Sequence, residues 1–255
     1  MKIEFGRREV TIFYLLIIGL DLFFILANCP LFPDLLGPTQ TFAPNPLIQF
    51  VRRQLDLKTE CVLATWYSSV LFFMTGVAAL ANIGSRNLSG WLKWSNRAGW
   101  LVLGCVIIGI SADEVGQIHE SLARLLNSMD MGVGYREGAG DWVPVLLPFI
   151  IGVSVIMVLF FGFTVMRCRV MVLGFIGLAF WVCAIVSESI EAGFLRVEMS
   201  YDMRGFIEEG CELIGATLLL IAFVQFYRKT AAVDERSDGV AAAVDPAIEG
   251  REASD

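Results

Sequence analysis

The chain is poor in the residues that mark most soluble enzymes and nucleic-acid binders. It has one histidine and, although it has six cysteines, no Cys-x-x-Cys spacing, so neither a zinc knuckle nor a thioredoxin-type motif is present. No Lys/Arg cluster is interleaved with aromatics, and the net charge is -7, which argues against nucleic-acid binding. Charged residues make up only 18% of the chain against 56% hydrophobic, too apolar a balance for an ordinary soluble domain. His119-Glu120 begins like the metalloprotease His-Glu-x-x-His motif, but position 123 is alanine. The Gly132-x-Gly134 and Gly138-x-Gly140 pairs follow no strand, which excludes a phosphate cradle.

What the chain does have is apolar runs of about twenty residues, the length that crosses roughly 30 Å of hydrocarbon. They predict an all-α, polytopic bundle of six transmembrane helices at about 10–27, 61–81, 98–125, 142–165, 170–194 and 205–227. Five of the eight prolines fall between positions 28 and 60 and bar a continuous helix there, although Pro46 to Leu57 suits a short amphipathic helix on the membrane surface. Residues 231–255, rich in Ala, Asp and Glu, read as a disordered tail. Lys and Arg number ten in the N-terminus, the 82–97 connection, the 167–169 turn and the tail start, against seven in the longer opposite loops. The positive-inside rule therefore places both termini in the cytoplasm of a multi-pass cell-membrane protein.

Against this background the carboxylates are anomalous. Asp113, Glu114 and Glu120 close the third run, Glu188 and Glu191 close the fifth, and Glu208, Glu209 and Glu212 open the sixth. Alternating spans bring all three segments to the outer leaflet, with Asp113 and Glu212 roughly 10 Å below the hydrocarbon edge. Asp113, Gln117 and Glu120 share a helix face, as do Glu188 with Glu191 and Glu208 with Glu212, while Glu114 and His119 lie to either side of the first face. Eight acids beside Arg124, Arg196, Arg204 and one histidine leave an excess of negative charge that protons or cations must relieve.

Three functions fit this pattern. In the first, Asp113, Glu120, Glu188, Glu208 and Glu212 hold a divalent metal ion, His119 or Glu191 moves protons, and metal-bound water attacks a lipid or lipid-linked substrate. In the second, the same acids relay protons or cations. In the third, the polar helices belong to a non-catalytic membrane subunit or merely tie the bundle together. Membrane lipids are the expected partners. The seven-helix ceramidase and adiponectin-receptor hydrolases hold zinc through several histidines, a set that one histidine cannot supply.

Four smaller expectations complete the reading. Asp21, inside the first run, is a helix-packing hydrogen-bond partner or a member of the polar site. Ser111, Ser187 and Ser189 bond the preceding turn of their own helices or act as nucleophiles. Cys29 and Cys61 fall at the outer ends of the first two spans, where they stand as two unpaired thiols or, in an oxidising compartment, as a disulfide. Cys105, Cys168 and Cys183 serve as small packing residues.

Overall fold

In hydrocarbon an apolar run is stable only when its own segment satisfies each backbone N–H and C=O, and a helix does so. The computed structural model describes residues 6–29, 46–57, 59, 61–84, 90–128, 143–162, 170–191 and 197–252, and every regular element among them is helical. In chain order these are α1 (Arg7–Ala27), α2 (Pro46–Leu55), α3 (Leu63–Ala81), α4 (Gly90–Gly116), α5 (Ile118–Ser128), α6 (Val143–Phe160), α7 (Met171–Glu191) and α8 (Tyr201–Glu252). A single 3-10 turn, Asn82–Gly84, closes α3.

Among the described residues four helices are long and apolar enough to cross a membrane: α1, α3 with its closing turn, α4, and α8 as far as Ala231. The chain is therefore a helical membrane protein by length and composition, while α6 and α7 contribute the shorter apolar stretches Ile151–Phe160 and Val172–Ser187. The third span differs from its sequence outline. It begins at Gly90 rather than 98, carrying exposed Trp91 and Trp94 on its first turns, and it stops at Gly116 rather than 125. The backbone of α8 stays helical to Glu252, through the stretch whose composition suggested a disordered tail.

Glycines set the tightest helix pairs. A Cβ on Gly76 of α3 would stand 3.0 Å from the Gly104 carbonyl of α4, and one on Gly104 would stand 3.0 Å from the Gly76 carbonyl. Gly177 of α7 and Gly215 of α8 repeat the arrangement at 2.9 Å in both directions. Such backbone approach is what small residues permit where lipid provides no hydrophobic drive between helices.

Between α3 and α8 the ties are polar. Thr75 Oγ1 donates to the Ala216 carbonyl at 3.3 Å, and Asn82 Nδ2 donates to the Phe223 carbonyl at 3.1 Å. Both pairs are 141 residues apart and one heptad separates them, so the two helices run side by side in constant register. Toward the predicted cytoplasmic end, fully buried Trp100 of α4 packs on Phe160 of α6 and on Phe223 and Phe226 of α8, with centroids 5.3–5.4 Å away. Phe161 extends the cluster to Phe175 of α7 at 6.0 Å. Aromatic rings dominate this end, with buried Asn82 and Asn96 set among them, while hydroxyls and carboxylates concentrate at the other.

Candidate functional site

The N-terminal end of α3 carries Thr65, Tyr67, Ser68 and Ser69, four buried polar residues within five positions. Successive helix positions point about 100° apart, so this belt faces several neighbours at once. Tyr67 faces α1 and α8: its hydroxyl donates to Asp21 Oδ1 at 2.6 Å, and Thr217 Oγ1 donates to Asp21 Oδ2 at 2.6 Å. Asp21 is thus a buried packing partner for two helices, one of the two roles expected of it.

The next two residues face α4. Ser69 and Ser111 exchange bonds, each hydroxyl donating to the other's carbonyl at 2.8 Å. Ser68 Oγ is buried and stands beside the Glu114 carboxylate, which also feels Asp113 and His119. Extending the α3–α8 register by one heptad toward the N-terminus of each helix brings Glu209 of α8 level with Ser68.

Asp113 ends one helix and starts the next. Its carbonyl accepts the Gln117 N–H at 2.7 Å, closing α4, and Gln117 then turns the chain with a left-handed φ of 49°. Its Oδ1 accepts the His119 backbone N–H at 2.8 Å, satisfying a donor in the first turn of α5, as a helix cap does. Its Oδ2 lies 2.7 Å from His119 Nδ1. The imidazole is therefore held by its own chain, half exposed at the foot of α5.

The sequence-selected residues divide as follows. Asp113 and His119 come together, although a continuous helix would have kept them apart. Glu208 and Glu212 lie half-buried on α8, where the Glu212 carbonyl accepts a long bond from Trp181 Nε1 of α7 at 3.4 Å. The side chains of Glu120, Glu188 and Glu191 lie outside the described residues. Among the described residues no group of three or more His, Cys, Asp or Glu side chains is set to hold a metal ion.

Two smaller expectations change and a third resolves between its alternatives. Ser111 bonds α3, and Ser187 donates to the Arg204 carbonyl at 3.3 Å, so both bond across segments; only Ser189 bonds its own helix, at the Ile185 carbonyl. Cys29 and Cys61 are free thiols, one of the two alternatives expected of them. Cys105 and Cys183 are exposed on helix surfaces rather than packed inside, and Cys168 lies outside the described residues. Sequence reading passed over Tyr67, Ser68 and Thr217. The available signal was the run Thr65 to Ser69, unusually polar for the start of an apolar span.

A family model described as Domain of unknown function (DUF8692) matches residues 15–226. No curated protein and no solved structure matches the chain.

Proposed function

The chain belongs to the DUF8692 family of domains of unknown function, and from its side chains we propose a six-span membrane protein with an acidic divalent-cation site at its outer face. In this reading α6 and α7 complete the six spans and both termini are cytoplasmic. The observation that carries it is the Asp113–His119 pairing. A carboxylate on Nδ1 fixes the imidazole tautomer and directs ligation or proton transfer to Nε2, the arrangement found behind metal-bound and general-base histidines.

Asp113 accordingly moves from ligand to positioning group. Glu120, Glu188, Glu208 and Glu212 supply hard oxygen ligands suited to Mg²⁺, Mn²⁺ or Ca²⁺. A divalent ion held there would supply Lewis-acid activation of water for hydrolysis of a lipid or lipid-linked ester, for which His119 or Glu191 would be the residue that takes the water's proton. Support comes from the α3 belt, which sets Glu114 beside Ser68 and draws Glu209 to the same level.

Elemental analysis of purified protein tests the proposal. Wild type retains a divalent ion, the Asp113→Ala/Glu212→Ala double variant loses it, and His119→Ala weakens retention. Equal metal content in wild type and double variant overturns the reading.

A second reading, proton or cation transport, is favoured by Asp21, a carboxylate 5% exposed between three spanning helices. It predicts ion flux in proteoliposomes that falls in Asp21→Asn.

A further inference from the structure

Helix α2 has an apolar side that the bundle does not cover. Leu47 is 66% exposed, Phe50 61%, Ile48 47% and Val51 42%. At about 100° per residue these four and Leu55 fall on one side of the helix, Gln49 falls opposite, and Arg52 and Arg53 stand at the two margins. An apolar stripe edged by long cationic side chains suits the boundary between acyl chains and headgroups, where the stripe sinks and the arginines reach up.

The helix is also tied at that level. Asn28, just past α1, donates from Nδ2 to the Leu55 carbonyl at 2.8 Å and accepts the Leu57 N–H on Oδ1 at 3.2 Å. Gln54 Oε1 accepts the Leu63 N–H, at the start of α3, at 3.2 Å. Leu57 is buried in the core. The C-terminal turn of α2 is thereby fixed between the end of α1 and the start of α3, and the exposed stripe is held at that level.

We infer that α2 is an interfacial anchor that binds anionic phospholipid, its stripe on the acyl chains and Arg52 and Arg53 on headgroup phosphates. Charge complementarity selects the occupant. Two adjacent guanidiniums match phosphate oxygens bidentately, and they do so on a chain whose overall charge of -7 repels anionic surfaces. A phospholipid also supplies an acyl chain for the neighbouring stripe, which free phosphate does not.

The test uses the full-length protein reconstituted in bilayers of phosphatidylcholine with phosphatidylglycerol, re-extracted in mild detergent, and its retained lipid measured by mass spectrometry. Wild type is enriched in phosphatidylglycerol over the bulk ratio. Arg52→Gln/Arg53→Gln loses that enrichment, whereas Arg52→Lys/Arg53→Lys keeps most of it. Enrichment unchanged in the Gln variant overturns the inference.

A fluorophore at Phe50→Cys, with the six native cysteines replaced by alanine, decides independently of the arginines. Quenching by shallow acyl-chain quenchers supports the inference. Quenching by aqueous iodide alone, or Phe50→Cys disulfides between two copies, overturns it. No member of the acidic site is altered in these variants, so their outcome is separable from the metal test.

Discussion

Asp21 is a carboxylate within an apolar helix, and its cost is offset by two short hydroxyl bonds, from Tyr67 and from Thr217. Removing either donor leaves one oxygen short of a partner in a desolvated place. Tyr67→Phe and Thr217→Val are each expected to destabilise by about 1–3 kcal/mol, read from thermal denaturation in detergent. The double variant should cost less than the sum, since both act on one group. A lone Asp in an apolar run is visible in sequence as an anomaly. Its partners are not, because hydroxyls 46 and 196 residues away carry no mark of the pairing. The Asp113–His119 pair was hidden for another reason. Six positions on a continuous helix leave the side chains roughly 120° apart in direction and about 9 Å apart along the axis, and only the break at Gln117 lets them meet.

That break is the main departure of an element from its sequence outline. The sequence outline of the span runs straight through it, and no proline announces it; the one local cue is Gly116 beside Gln117. A left-handed non-glycine residue costs about 1–2 kcal/mol, so Gln117→Gly should be neutral or stabilising and Gln117→Val destabilising, with the two thermal midpoints on opposite sides of wild type or nearly so. Helix existence was legible because long apolar runs admit few alternatives. The ends were less so: Trp91 and Trp94 were assigned to a loop, yet they ride on a helix that continues past the hydrocarbon. How helices pair depends on glycines whose role emerges only when two backbones meet. Gly215→Ala should cost about 1–3 kcal/mol by overpacking, through the Gly177 carbonyl and the Trp181 ring. Gly109→Ala, where an added Cβ meets nothing within 4 Å, is the matched control.

Across the whole molecule the two ends of the bundle are unlike. One is an aromatic cluster around Trp100 with Asn82 bonded into it, the other a belt of hydroxyls and carboxylates around α3. Composition led to the expectation that acids gather at one level. It pointed to α4, α7 and α8 as the helices that meet there, and did not reveal that α3 packs on both α4 and α8, because α3 brings hydroxyls rather than charges. The proposed topology is checked by a membrane-impermeant maleimide on intact cells. Exposed Cys61, at the start of α3, is labelled, whereas Cys105, exposed in the middle of α4, is shielded by lipid. Labelling of Cys61 only after lysis would reverse the orientation.

The Asp21 contacts also bear on biogenesis. The acceptor emerges from the ribosome with the opening segment, and one of its two donors, Thr217, is not synthesised until the closing one. Until then a nascent chain holds a half-satisfied acid in the bilayer, so a truncation before α8 should stay with the insertion machinery or be degraded, and release as a mature protein waits for the last helix.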